Sequence, residues 1–307
     1  MATVAARPLT GTGGADQRGG RWRAIRIGAI VVAAVALVWE GVKFIGGTPW
    51  REPLALPGAP VLHDPPFRWP FASDLNLPHI WNIVLTFFEP WQRNAQENVG
   101  QYLIGTALYT WREAALGFLL GAILGLVLAT LFVHFRVLER AFVPYVVASQ
   151  TVPIVALAPM IVFAVGPSVA AVVIVATYLT FFPVTIAMIR GLRAFDPRAM
   201  ELMQSYAASR WEIFWKLRLP ASLPYLFTAL KIAATASIVG AIIGEGPGGI
   251  NDGLGRAIIT FNQYYITGPE KLWAAIVVSA ALGIAFFSLV RGAEVLLMRN
   301  RPGDAQG

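Results

Sequence analysis

A chain of 307 residues with 56% hydrophobic and only 13% charged side chains, and a mean hydropathy of +0.61, lies far from the composition of a soluble domain and belongs in a bilayer. A formal charge of +7 on a soluble protein would point to nucleic acid, but here the charges gather between long apolar runs, as in the loops of a membrane protein, and nucleic acid is set aside. The sequence has no cysteine, which excludes disulfides, thiolate catalysis and Cys-based metal sites.

Residues 1–24, rich in Gly, Ala, Thr and Arg without periodicity, are expected to form a cytosolic tail. Residues 25–45 stay apolar until Glu40 and Lys43 and are long enough to cross a hydrocarbon layer of about 30 Å. A cleaved signal peptide is the alternative, because Arg21, Arg23 and Arg26 precede the run; its length and the lack of a small-x-small cleavage site favour an uncleaved span. Residues 46–101 are crowded with Pro and aromatic residues and are expected to be an extracytoplasmic insertion. Its best helix, 78–89, is too short to span. The aromatics there either lie at headgroup level or contact a ligand or partner. His63 and His79 have no second ligand at metal spacing.

A second span is predicted over 114–133, after a lead-in containing Trp111, Arg112 and Glu113. Gly117, Gly121 and Gly125, four apart, give it one face that a neighbouring helix can approach closely. A third span, 142–165, is interrupted by Pro144, Pro153 and Pro159. Broken helices persist in a bilayer only where protein or a watery cavity satisfies the freed carbonyls. Ser149, Gln150, Thr151 and Pro153 are therefore candidates for lining a pathway, with hydrogen bonding between helices as the other reading. The chain turns at Gly166-Pro167-Ser168, and a fourth span follows over 169–189.

The loop 191–224 carries a dense group of cations. Asp196-Pro197 supplies an N-cap acceptor and a first-turn proline, so a short helix should start there. Ser209 and Glu212 have capping-box spacing, which predicts a second short helix from about 210 to 218, closed by Leu219-Pro220 because proline cannot donate the next backbone bond. The two would form an elbow near Ala207, with Met200, Met203, Tyr206, Trp211 and Phe214 offering apolar contact. A fifth span, 224–243, ends at Glu245, whose carboxylate is either simply hydrated or set at the outer mouth of a pathway. The stretch 244–249 satisfies G-x-G-x-x-G formally, but no strand precedes it and a dinucleotide site is rejected. A sixth span runs over 272–297. Lys43, Arg51, Arg68, Arg93, Arg112, Arg256 and Lys271 fall on one side of this topology and the other seventeen of 24 Lys and Arg on the opposite side, which places both termini, and the elbow, in the cytosol.

The order of residues in the elbow, E-L-M-Q-S-Y-A-A-S, about ten residues and then L-P, resembles the EAA loop of the integral-membrane permeases of ABC importers. Glu201 matches the leading acid and Leu219-Pro220 the closing pair. Leu202 and Met203 replace two alanines, and Ala207 replaces a glycine that would tolerate positive φ more readily. The run T-W-R-x-A-x-x-G-F before the second span and P-M-I-V-F-A-V-G in the third are similar to further stretches of that family, and the branch most resembled includes permeases for sulfonates, nitrate, bicarbonate and thiamine-precursor or flavin-like molecules.

The resemblance covers 102–299 and implies an all-α membrane protein with six transmembrane helices and a type I permease core, in a bacterial inner membrane. Five of its spans and the coupling loop 191–224 would lie in that core, with 300–307 as a second cytosolic tail. It implies that Glu201, Met203, Tyr206, Ala207, Ala208, Ser209, Trp211, Leu219 and Pro220 engage a separate cytosolic ATPase. ATP and Mg would be held there, and no cofactor or metal by this chain. It further implies an extracytoplasmic solute-binding protein and a homodimer of permeases. The rival readings are an intramembrane enzyme, which would need a nucleophile and base, paired carboxylates or metal ligands at membrane depth, and a channel without an ATPase.

Overall fold

The computed structural model describes residues 15–50, 60–246, 250 and 252–298. The chain divides into two compact units, Met1–Val84 and Leu85–Gly307. Among the described residues every regular element is a helix. Residues 1–14, 247–249 and 299–307, which hold most of both expected tails and half of the glycine-rich stretch, lie outside the described residues.

In the first unit, helix α1 (Ala15–Ile45) starts within the segment expected to be a tail, and Arg26–Ile45 is apolar and long enough to cross a membrane. The segment after it folds back on the end of α1. Lys43 is fully buried, and its Nζ donates to Asp74 Oδ1 at 2.5 Å and to the Leu77 carbonyl at 2.6 Å. Glu40, one turn earlier, accepts from the His79 ring at 2.8 Å and from the Ile80 N–H at 2.8 Å, which caps helix α2 (Ile80–Thr86). Trp50 meets the rings of His63, His79 and Trp81 edge-on, and His79 stacks on Trp81. These aromatics and histidines thus pack on one another around a polar clasp. Burial holds the His79 ring below its ordinary value of 6.5, against the raising effect of the Glu40 hydrogen bond.

The second unit is built on α3 (Val99–His134), α6 (Val169–Gly191) and α9 (Leu219–Glu245). The Asn98–Gln101 capping box starts α3, which runs unbroken through the lead-in expected to precede its span. The small residues set the helix spacing: a Cβ on Gly117 would stand 2.4 Å from the Ala176 Cβ, and one on Gly121 2.5 Å from the Thr180 Cβ. Only glycine permits that approach, and it brings α6 backbone against α3. Gly240 does the same for α9, where a Cβ would lie 2.8 Å from Ala176 Cα.

The third span is not one rod. Helices α4 (Arg136–Ser149) and α5 (Ile154–Val165) meet at an angle of 100° across residues 150–153. Pro144 and Pro159 sit inside these helices; the break occurs at Pro153, which bars its predecessor from continuing the helix. The described residues therefore hold five helices long and apolar enough to span, with the bent pair as a sixth. Helices α7 (Pro197–Ser205), α8 (Arg210–Ile213), α10 (Leu254–Gln263) and α11 (Pro269–Met298) complete the unit. On the side of α11, Lys231 of α9 pairs with Glu294, Nζ lying 2.8 and 3.0 Å from its two carboxylate oxygens.

Candidate functional site

The elbow between α6 and α9 is built by local chemistry. Asp196 caps α7, its Oδ1 accepting from the Arg198 N–H at 2.9 Å, and Pro197 fills the first turn. At the other end the Ala208 N–H reaches the Met203 carbonyl at 3.0 Å and the Ala207 N–H the Gln204 carbonyl at 2.9 Å, the paired bonds of a Schellman stop. That stop needs a left-handed residue, and Ala207 supplies it with φ of 53°. Ser209 and Glu212 then form the expected capping box, with the Ser209 N–H donating to Glu212 Oε2 at 2.9 Å. Lys216 adds an exposed ion pair to Glu212.

The expected end of the second arm at Leu219-Pro220 is not found. After α8 the backbone makes a π-turn over Phe214–Arg218, in which the Leu219 N–H bonds the Phe214 carbonyl five residues back, and then enters α9 without a break. The wider turn gives the Pro220 ring room against the preceding carbonyls, and its missing N–H falls in the first turn of α9. Residues 210–245 form one rod of 36 residues, about 54 Å at helical rise. The elbow's second arm is thus the beginning of a spanning helix.

Around this elbow Glu201, Tyr206, Ser209 and Trp211 are exposed, Tyr206 to 79% and Trp211 to 69%; Met203 and Ala208 are half-buried, as are Leu219 and Pro220. Two further apolar side chains of the elbow are open that the sequence reading left out of the site: Leu202 and Trp215. Leu202 could have been found, since it stands where the pattern has a small alanine. Trp215 lies edge-on to Trp211 and Phe214. Beneath the elbow, Arg193 binds both oxygens of Glu139 on α4, and the Arg218 guanidinium lies 5.3 Å from the Phe195 ring centre. With Arg136 and Arg140 these line a basic hollow of about 740 Å³. The Arg193 guanidinium is held above its already high ordinary value by its hydrogen bonds to Glu139.

The four candidates at the broken span come together at the bend. Ser149 Oγ donates to the Val146 carbonyl at 2.8 Å and Thr151 Oγ1 to the Ala148 carbonyl at 2.7 Å, so both hydroxyls satisfy carbonyls at the end of α4. The Tyr178 hydroxyl of α6 donates to the Ser149 carbonyl, while Gln150, Thr151 and Pro153 remain half-buried or exposed. The bend is thus hydrogen-bonded to itself and to α6. Its apolar arms are open: Phe163 is 93% exposed, and α4 buries none of its residues.

Glu245 is neither hydrated nor at an open mouth. It is fully buried at the end of α9, where its Oε2 accepts from the Gly255 N–H at 2.6 Å, and it lies beside the buried Glu113 of α3. A pair of carboxylates at depth, which the sequence reading did not find, therefore exists. Its two members are far apart in the chain, and no local pattern joins them. Both are sealed from solvent in this conformation.

Comparison with known proteins agrees with this arrangement. The structure matches that of an amino acid ABC transporter solved with histidines, with a TM-score of 0.52 at 17% identity, over 66% of this chain and 95% of the other; it shares the fold. The chain is 35% identical over 187 residues to the formylaminopyrimidine transport permease protein ThiX of Halalkalibacterium halodurans, covering 60% of this chain and 72% of that one. It is 30% identical to a probable ABC transporter permease protein of Haemophilus influenzae (68% and 87% covered), and 29% identical to the putative aliphatic sulfonates transport permease protein SsuC of Bacillus subtilis (73% and 78%). Residues 117–294, more than half of the chain, match the family described as binding-protein-dependent transport system inner membrane component, so the chain belongs to that family and is a multi-pass permease subunit of an ABC transporter.

Proposed function

We propose that this permease couples ATP hydrolysis by a separate cytosolic ATPase to import of a small solute, and that the elbow is where the ATPase docks. The observation that carries the reading is the continuity of residues 210–245. A push on the exposed Trp211 is delivered directly to a spanning helix, and through Gly240 to the α6 backbone that packs on α3, while the exposed Tyr206 widens the docking face from the end of α7. Interdigitated helices of this kind switch between discrete packings, so such a push selects one of two arrangements.

ATP and Mg would be bound by the partner, whereas this chain contributes movement. The surplus of Lys and Arg on the elbow side supports a cytosolic elbow and cytosolic termini in a bacterial inner membrane. Two copies would enclose the pathway, with the open apolar arms of α4 and α5 facing the second copy or lipid. Ser149, Gln150, Thr151 and Pro153 at the bend would then face the passing solute. Solute would arrive from an extracytoplasmic binding protein at the end opposite the elbow. There an open cavity of about 1130 Å³ lies between residues 91–97 and the α10–α11 turn, with Arg93, Glu97 and Lys271 in its lining. The relatives named for formylaminopyrimidine, riboflavin, sulfonates and nitrate support a solute that is a small anion or a small heteroaromatic.

The test is co-purification of the ATPase encoded with this chain, followed by ATP turnover and solute uptake in proteoliposomes. Trp211→Ala and Tyr206→Ala are each expected to weaken ATPase binding by about tenfold or more, as for exposed aromatic anchors at interfaces, with the fold intact. Full uptake without an ATPase, or full ATPase affinity in both variants, would refute the reading.

A further inference from the structure

Glu113 of α3 is 1% exposed and Glu245 of α9 is 0% exposed. The two carboxyls lie within hydrogen-bonding reach of each other. Among the described residues, neither oxygen of Glu113 has a donor, and Oε1 of Glu245 has none. No ion pair among the described residues includes either side chain. Glu245 accepts from the Gly255 N–H in the first turn of α10, with the Thr110 hydroxyl of α3 also beside it, and the next residue back, Leu254, donates its N–H to Thr110 Oγ1 at 2.8 Å. Thr110 in turn donates to the Thr106 carbonyl. Three helices therefore meet at this one sealed junction.

Other charged groups do not neutralise the pair. Arg112 and Asp252 are those that act on Glu113 besides Glu245, and Tyr109 is the further titratable group close by. Arg112 is exposed and adjacent in sequence to Glu113, so it projects from a different face of α3. Asp252 adds negative charge. Helices α6 and α11, also packed here, bring no charged side chain among those acting on the pair.

Two glycines bring the backbone directly against Glu245. A Cβ on Gly253 would lie 2.3 Å from Glu245 Cδ and one on Gly255 2.9 Å from its Cβ, so the loop and the start of α10 close directly on this side chain. Two bare carboxylates enclosed in this way are not both ionised, because each would lack solvent and repel the other. One proton between them removes the repulsion and lets one carboxyl oxygen carry it while an oxygen of the other carboxyl accepts it. The start of α10 favours the negative charge on Glu245.

We infer that Glu113 and Glu245 form a binding site for a single proton, carried by Glu113 and donated to Glu245, and that this proton fastens α10 to α3 and α9. Its loss places a second negative charge in the junction and releases the start of α10. The site thus makes the end of the bundle opposite the elbow sensitive to alkali.

The test uses the full-length protein in detergent. Infrared difference spectra of wild type against Glu113→Gln at neutral pH should show the carbonyl band of a protonated carboxylic acid in the wild type alone. Glu245→Gln, which can offer an N–H to an ionised Glu113, should abolish the same band. Between pH 7 and 10 the wild-type melting temperature should fall by roughly 5 °C more than that of Glu113→Gln, whose amide donates without titrating. Absence of the band from wild type, or its persistence in either variant together with equal pH responses, would overturn the inference. If Glu113→Gln fails to fold, the Glu245→Gln spectrum decides alone.

Discussion

Arg193 holds Glu139 through two parallel hydrogen bonds, 2.8 and 2.7 Å, and so ties the strap leading into the elbow to helix α4, the first limb of the bent span. The pair is the elbow's anchor on its α6 side, while the continuous rod 210–245 anchors the other. The elbow is therefore joined to the bundle through two different connections, one rigid along its length and one a two-pronged ion pair.

Removing that ion pair should loosen coupling more than stability. The Arg193 side chain is 44% exposed, so solvent screening keeps the stabilisation to about 0.5–1 kcal/mol. Arg193→Ala is expected to lower solute moved per ATP hydrolysed by about threefold in proteoliposomes while the melting temperature changes little. The exchange Arg193→Glu with Glu139→Arg should recover most of the ratio. A swap no better than the single variant would show that the ion pair does not carry coupling.

At Ala207 the left-handed backbone is occupied by a residue with a Cβ, which costs about 1 kcal/mol. Ala207→Gly is expected to raise stability by up to about 0.5 kcal/mol, a degree or so in melting temperature, because the greater freedom of glycine in the unfolded chain offsets part of the relieved strain. Ala207→Val should lower it, because a β-branched side chain suits that conformation still less. Thermal unfolding of the three proteins side by side checks the order Gly above Ala above Val.

His79 sets a pH dependence for the first unit. Burial lowers its pKa in the folded state below 6.5, so as pH falls through 6.5 the unfolded chain takes up a proton before the folded one does. Stability is therefore lost on the acid side of 6.5 and is complete above it. Fluorescence of Trp50 and Trp81, whose rings touch His79, should report earlier denaturant unfolding at pH 5 than at pH 8. In His79→Asn, which does not titrate, this difference should shrink.

Lys231 and Glu294, each about a fifth exposed, join α9 to α11. Glu294→Leu leaves the ammonium without its partner and should destabilise by about 1–3 kcal/mol. Lys231→Met together with Glu294→Leu should recover most of that loss, since an apolar pair in the same space needs no mutual neutralisation. Additive losses in the double variant would contradict this account.

Much of the elbow was legible because its determinants are local. Asp196-Pro197 and the Ser209–Glu212 box each act within four residues, so their spacing alone states where two helices begin. Gly117, Gly121 and Gly125 announced a close helix contact for the same reason, although not that α6 would be the partner. Local rules failed where a longer-range geometry intervened. Pro220 reads as a stop, but the π-turn before it absorbs the ring and the helix goes on.

By itself, then, the sequence determined that this chain lies in a membrane, where the elbow's two helices are capped, and which loop carries the permease pattern, since hydropathy and capping depend on neighbours along the chain. Tertiary structure alone decided that Lys43 is buried against Asp74 and that Glu113 meets Glu245. These are meetings of distant segments, and their energy depends on burial and on the groups that face them, neither of which any window of sequence contains.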